Sequence, residues 1–135
     1  QAHQSCIGKQ QAMSTATLCI GANVADKEEQ VAKACRFVAT LGTVVADSGC
    51  FPTPPEGCPA GTEPYANRVV VLRTGLEHSR LRALTKEYQD RCREASGEAG
   101  VAIDIDIVVF DDLVLRPADA ASGYFRAGMA ALRQI

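Results

Sequence analysis

The feature that most constrains the fold of this chain is the order in which two kinds of apolar spacing follow one another. Residues 26–41 and 77–95 carry apolar side chains at helical spacing, which predicts two helices with one buried stripe each. Residues 118–134 predict a further helical segment after a proline. Short apolar runs flank and separate the first two helices. They predict four strands, at residues 15–21, 43–48, 65–73 and 101–110.

This β-α-β-β-α-β order predicts an α+β fold of the ferredoxin-like class. In that class both helices cover one face of an antiparallel sheet, and the C-terminal helical segment would be an addition. The 135 residues can bury a core of their own, so we expect one domain over residues 14–135 after an N-terminal extension at residues 1–13. Because this fold class serves many functions, function must be argued from particular side chains.

Composition argues against several classes of protein. A formal charge of −2 provides no bulk basicity for binding nucleic acid. No apolar run approaches the roughly 20 residues that span a bilayer. The first twelve residues are polar and do not resemble a secretion signal. We therefore expect a cytoplasmic protein with neither a nucleic-acid nor a membrane partner.

The six cysteines do not form a metal-binding pattern. No Cys-x-x-Cys pair occurs, and His3 and His78 do not accompany a tight cysteine cluster, so a zinc site is not expected. Free thiols in a reducing compartment are the favoured interpretation. A disulfide between Cys50 and Cys58 is the alternative.

A proline-rich loop is predicted at residues 49–64, which hold five of the six prolines. Proline fixes φ and removes a backbone donor, so regular structure is not expected there. A loop of this length inside a compact domain is usually functional or disordered.

Two carboxylates on the last predicted strand are the candidate metal ligands. Asp104 and Asp106 alternate with isoleucines, so they share one strand face with their Cα atoms about 6–7 Å apart. Like charges at that spacing oppose joint ionisation unless a cation compensates. Mg²⁺ suits such a pair, because it takes one or two carboxylates together with water and phosphate oxygens. The alternative is a solvated face that only keeps the sheet soluble.

Three short motifs occur in a fixed order along the chain, namely Thr53-Pro54-Pro55, Pro64-Tyr65-Ala66-Asn67 and Asp104-Ile105-Asp106. A Gly21-Ala22-Asn23 turn follows the first predicted strand. In this order the motifs resemble those of the 6-hydroxymethyl-7,8-dihydropterin pyrophosphokinase family of folate biosynthesis. The resemblance covers roughly residues 15–110.

The resemblance implies an activity and a set of roles. The activity is transfer of pyrophosphate from ATP to the hydroxymethyl group of the pterin, with two Mg²⁺ ions held by Asp104 and Asp106. On the pterin side it implies hydrogen bonding by Asn67 and stacking on Tyr65. The pocket would be completed by Thr53, Pro54, Pro55 and, as a second aromatic wall, Phe125.

The chain departs from the family on the nucleotide side. An arginine- and tryptophan-containing stretch normally precedes the two aspartates, whereas residues 96–102 contain neither residue type. Arg91 and Arg93 could substitute as phosphate contacts, or they could only complement the C-terminal dipole of their helix. The remaining nucleotide-side assignments that the resemblance implies are Gln89, Ile107 and Arg126, with Arg116 as a further candidate.

Two other functions stay open on the sequence. The missing arginines are compatible with a homologue that binds pterin or nucleotide without turnover. The second alternative is a ferredoxin-like interaction module, in which the two aspartates only face solvent. The sequence does not indicate an oligomeric state.

Overall fold

The computed structural model of the protein describes residues 12–53, 63–96 and 103–135. Within these residues seven strands form one sheet and four helices pack on its two faces. The strands are β1 (Ser14–Ala22), β2 (Thr43–Asp47), β3 (Phe51–Thr53), β4 (Tyr65–Thr74), β5 (Asp104–Phe110), β6 (Leu113–Val114) and β7 (Arg133–Gln134). The helices are α1 (Lys27–Ala39), α2 (His78–Ser96), α3 (Pro117–Ala120) and α4 (Gly123–Ala130).

The sheet is antiparallel throughout, in the order β6-β5-β1-β4-β2-β7, and β3 also pairs with β4. The central pair, β1 and β4, is in register from Ser14 opposite Thr74 to Ala22 opposite Ala66. The predicted α+β class and the predicted antiparallel sheet are therefore confirmed.

Both long helices cover the same face of the sheet. The stripe that the helical spacing predicted for α1 is buried there, against alternate residues of β1 and β4. Phe37 of α1 stacks on Tyr88 of α2, with ring centroids 4.5 Å apart. The main core thus lies between this sheet face and the two helices.

A second, smaller core lies on the opposite face. Phe125 of α4 packs there against Cys19, Val69 and Val108, which come from three neighbouring strands. Gly128 lets α4 approach the sheet closely, because a Cβ at this position would lie 2.3 Å from Val69 Cγ2. The short C-terminal helices therefore cover only part of this face and leave the rest accessible.

The C-terminal region differs from its predicted single helical segment. Two short helices and a two-residue strand occupy it. Pro117 begins α3, and the Ser122 side chain accepts a hydrogen bond from the Phe125 amide at the start of α4. A proline and a capping serine so close together begin two separate helices, and α4 ends before β7.

The beginning of the proline-rich loop was also predicted incompletely, since Phe51–Thr53 forms β3 at the edge of β4. Pro52 is tolerated there because an edge strand does not need every backbone donor.

Pro54 and Pro55 lie outside the described residues, as do Cys58 and most of the predicted N-terminal extension. Cys50 is a free cysteine in the structure, which supports the favoured interpretation of free thiols over the alternative Cys50–Cys58 disulfide. None of the described helices is long and apolar enough to cross a membrane.

Candidate active site

The two aspartates of β5 share the sheet face that α1 and α2 leave uncovered. Asp104 lies opposite Gly21 of β1, and Asp106 lies opposite Cys19. Both carboxylates line one cavity of about 170 Å³. The predicted shared face thus has a cleft beside it.

This small cavity gathers three of the six residues that were predicted for the pterin side. Besides the two aspartates, it contains side chains from β1, β3, β4 and α4. The members that were predicted are Thr53, Tyr65 and Asn67, and the additional members are Cys19, Gly21 and Tyr124.

The Asn67 amide has a defined orientation in the small cavity. Asn67 is 5% exposed, and its Nδ2 donates a hydrogen bond to Thr53 Oγ1. A Cβ at Gly21 would lie 2.9 Å from Asn67 Oδ1, so the glycine provides the space that this amide occupies. The amide oxygen therefore lies beside the cavity while the amide nitrogen is held by its neighbour.

A larger cavity of about 420 Å³ lies beside α2 and carries several basic side chains. His78, Arg82 and Lys86 line it at intervals of four residues, which places them on one side of the helix. None of the three was among the predicted site residues. Their spacing was a usable signal, but a charged helix face more often only contacts water.

Gln89 and Ile107, which were predicted on the nucleotide side, both line the larger cavity. Gln89 Oε1 accepts a hydrogen bond from the Ile105 amide at 2.8 Å. This contact fixes α2 against β5 at the wall of the cavity.

Asp106 lines both cavities, together with Asp104 in the small one and Arg116 in the large one. Burial raises the pKa of Asp106, and the charges of Asp104 and Asp119 raise it further, whereas Arg116 lowers it. The Arg116 Nε lies 3.8 Å from Asp106 Oδ1 and also contacts Asp119 Oδ2. One guanidinium thus faces two carboxylates, and Asp104 adds a further negative charge beside Asp106, so an additional cation would be electrostatically favourable here.

The residues present fit a magnesium ion better than a metal that requires a full protein cage. Among the described residues, no group of three or more His, Cys, Asp or Glu side chains is placed to hold a metal ion. Two carboxylates on one strand face are the number that Mg²⁺ takes when phosphates and water complete its coordination. Cys19 is not a suitable ligand, since burial, Asp106 and Asp119 raise its pKa to about 12 and keep the thiol protonated.

A comparison with protein families gives one match. The family model of 7,8-dihydro-6-hydroxymethylpterin-pyrophosphokinase (HPPK) matches residues 17–130. The chain belongs to the HPPK family. This match extends from β1 through α4, so it includes both aspartates and the described walls of both cavities. No curated protein matched the chain significantly.

The structure places Arg91 and Arg93 away from the walls of both cavities. Arg91 pairs with Glu87 and Arg93 with Asp90, each at 3.1 Å on the exposed side of α2. These local pairs do not favour the phosphate contacts predicted for this HPPK-family chain.

The aromatic residue of α4 that lines the small cavity is Tyr124, and Phe125 is 5% exposed in the second core. Burial, together with a hydrogen bond to Asp119, raises the pKa of Tyr124 to about 12, so its hydroxyl remains a donor. Arg126 is exposed and does not line either cavity. The positions of Phe125 and Arg126 thus do not favour the predicted stacking and phosphate-binding roles.

Proposed function

We propose that this HPPK-family protein transfers pyrophosphate from ATP to the hydroxymethyl group of 6-hydroxymethyl-7,8-dihydropterin in folate biosynthesis. The observation that carries the proposal is that Asp106 lines both cavities. A pterin in the small cavity and a nucleotide in the large one would bring the hydroxymethyl group and the phosphates to the same carboxylates. The family match supports the same activity.

On the pterin side, we assign recognition to Asn67 and stacking to two tyrosines. Asn67 Oδ1 can accept a hydrogen bond from the ring, while Nδ2 donates one N–H to Thr53 Oγ1 and keeps a second. Tyr65 and Tyr124 line the same cavity from β4 and α4. The second stacking ring is therefore assigned to Tyr124 in place of Phe125.

On the nucleotide side, we assign the phosphate charge to basic residues of the larger cavity. Arg82, Lys86 and Arg116 line it and can neutralise a triphosphate. They provide positive charge that the arginine-free segment 96–102 lacks. Gln89 and Ile107 remain candidates for nucleotide contacts because they line the same space.

Asp104 and Asp106 are the residues that would hold Mg²⁺. When bound, Mg²⁺ neutralises and orients the phosphates during transfer. The pterin hydroxymethyl oxygen forms a bond to the β-phosphorus of ATP, while the bond from that phosphorus to the oxygen bridging the α-phosphorus breaks. AMP leaves with the bridging oxygen, and the alcohol proton is released to solvent.

We also infer that the long elements form a ferredoxin-like core. The strand order β5-β1-β4-β2, with antiparallel neighbours, supports this assignment. The packing of α1 and α2 on one face supports it further.

The activity is tested by incubating the protein with ATP, Mg²⁺ and the hydroxymethyl-dihydropterin and measuring AMP by chromatography. We expect AMP and the pterin pyrophosphate in equal amounts. Absence of AMP together with calorimetric binding of the pterin would favour the second candidate, a protein that binds without turnover. That candidate is motivated by the absence of arginine from residues 96–102.

A further inference from the structure

Asp119 of α3 contacts a residue from each of the two cavities. Its Oδ1 accepts a hydrogen bond from the Tyr124 hydroxyl at 2.9 Å, and its Oδ2 accepts one from the Arg116 Nε. Tyr124 lines the small cavity and Arg116 lines the large one. One carboxylate therefore connects the walls of both cavities.

The position of Asp119 is fixed by its backbone. Its carbonyl oxygen accepts hydrogen bonds from Ser122 Oγ at 2.6 Å and from the Ser122 amide at 3.0 Å. Ser122 also caps α4, which carries Tyr124. The Arg116 amide, at the start of α3, donates to the Val108 carbonyl of β5 at 3.4 Å. These contacts attach the carboxylate to α4 on one side and to β5 on the other.

Two carboxylates compete for the Arg116 guanidinium. Its Nε is hydrogen-bonded to Asp119 but lies 3.8 Å from Asp106 Oδ1, which is beyond hydrogen-bond distance. Without Asp119, the attraction between opposite charges would draw Arg116 onto Asp106. Asp106 would then be neutralised by a side chain before any other cation could use it.

We propose that Asp119 is a positioning residue that holds Arg116 away from Asp106. It thereby keeps Asp106 available for a divalent cation and Arg116 available for a phosphate. The same carboxylate orients Tyr124 at the small cavity. The proposal rests on the proposed function for the identity of the ligands, but the competition between the two carboxylates is a property of the protein alone.

The arrangement of Arg116 is tested first on the protein without ligands, using nuclear magnetic resonance of the arginine Nε–H groups. The Arg116 signal is assigned with Arg116→Gln. We expect a signal protected from exchange with water that shifts in Asp119→Asn and stays unchanged in Asp112→Asn, an exposed turn residue. An Arg116 signal that is the same in the wild type and in Asp119→Asn would overturn the inference, whatever the AMP assay shows.

The consequence for ligand binding is tested by calorimetry with a non-hydrolysable ATP analogue over a series of Mg²⁺ concentrations. Asp119→Asn should raise the Mg²⁺ concentration needed for half-maximal binding about five- to tenfold, as coupled contacting residues commonly show. Tyr124→Phe should not reproduce this change, although it should weaken pterin binding about two- to threefold through the lost hydrogen bond.

A double-mutant cycle separates positioning from a general structural effect. In an Arg116→Gln background, Asp119→Asn should no longer change the Mg²⁺ dependence, because no guanidinium remains to close on Asp106. An effect of the same size in both backgrounds would contradict the proposal. Melting temperatures of all variants show whether each one is folded. A wild type that releases no AMP would remove the proposed function and leave these binding and resonance results interpretable.

Discussion

At the scale of single residues, Asp106 is the side chain that connects the two cavities, because it lines both of them. It is half-buried, faces Asp104 on the same strand face and lies 3.8 Å from Arg116. Its raised pKa shows that the folded protein disfavours the ionised carboxylate, first through burial and then through Asp104 and Asp119. Carboxyl groups with raised pKa values are common in functional sites, although structural ion-pair networks also shift pKa values.

We therefore expect Asp106→Asn to separate activity from stability. The rate of AMP release should fall roughly 100-fold or more, the order seen when a charge-stabilising group is removed. The free energy of unfolding without ligands should stay equal or rise, because a neutral amide relieves the repulsion. Initial rates and urea unfolding measure the two quantities, with Asp112→Asn as the control. A variant with near-normal rates would remove Asp106 from the metal site.

Gly21→Ala tests the orientation of the Asn67 amide. The new Cβ would lie 2.9 Å from Asn67 Oδ1, so the amide must move. We expect the KM for the pterin to rise about tenfold, since displacements near 1 Å can cost up to 100-fold. The KM for ATP should change little. Gly75→Ala is the matched control, because among the described residues its Cβ would meet only Met13 Sδ, at 3.7 Å. Equal KM values in the two variants would argue against recognition by Asn67.

At the scale of elements, the close packing of α4 on the sheet determines where Tyr124 lies. Gly128 is the contact point, with Val69 Cγ2 2.3 Å and Phe51 Cζ 3.1 Å from its notional Cβ. Adding a methyl group there has two opposite effects on stability. The favourable one is helix propensity, since alanine stabilises a helix by about 1 kcal/mol relative to glycine. Overpacking a tight contact costs about 1–3 kcal/mol, so it should outweigh the gain.

Gly128→Ala is thus expected to destabilise the protein by about 1 kcal/mol, as the difference between these two effects. Combining it with Val69→Ala should give a smaller loss than the sum of the single changes, because the truncated valine makes room for the methyl group. Urea unfolding of the two single variants and the double variant measures this coupling. Strict additivity would show that the helix shifts as a whole and the contact is not the cause.

The Asp47–Arg68 ion pair joins β2 to β4 at the other end of the sheet. Two hydrogen bonds of 2.8 and 2.6 Å connect the half-buried groups. Burial acts to raise the pKa of Asp47, but hydrogen bonds from Arg68 and the Gly49 amide outweigh it and lower the pKa. The ion pair therefore stabilises the fold when Asp47 is ionised.

Asp47→Asn should lower the free energy of unfolding by about 2 kcal/mol at pH 7. Because the folded-state pKa is lowered, the stabilisation is fully present above the ordinary carboxyl pKa of about 3.9 and is lost as pH falls through the folded-state value. The difference between wild type and variant should therefore shrink between pH 7 and pH 2.5. Glu29→Gln, which removes an exposed 3.8 Å pair with Arg36, should change stability little at either pH. A difference that stays constant with pH would contradict the assignment.

At the scale of the whole molecule, the large cavity lies beside α2 and the small cavity lies beside α4. Asp106 of β5 lines both. Ligands in both should stabilise the folded state together. An ATP analogue with Mg²⁺ at about 100 times its Kd should add about 2.7 kcal/mol of stability. For a domain of this size that corresponds to several degrees in Tm.

Thermal unfolding in the presence of the analogue, with and without Mg²⁺, measures this stabilisation. The increase in Tm should require Mg²⁺ and should be largely absent in Asp106→Asn. Arg91→Gln serves as a control for a basic residue of α2 outside both cavities, since Arg91 pairs with Glu87 on its own helix and lines neither cavity. A loss of the shift in Arg91→Gln would instead restore the predicted phosphate role of Arg91.

The sequence alone determined the features that depend on short-range periodicity. The order of helical and strand spacing predicted α1, α2 and the four long strands, because each element must bury one apolar face. The alternation in β5 placed Asp104 and Asp106 on one side, since strand side chains alternate between faces. The shared face of Tyr65 and Asn67 on β4 follows from the same period of two.

Only the tertiary structure decided which residues of a given face meet a cavity. Tyr124 and Phe125 are neighbours, and the docking of the short helix α4 turned one ring toward the small cavity and the other into the core. Arg82 and Lys86 line the large cavity, whereas Arg91 of the same helix forms an ion pair with Glu87. Charged positions on a helix look alike in sequence, because their role depends on what packs beside them, and that is set by contacts between distant parts of the chain.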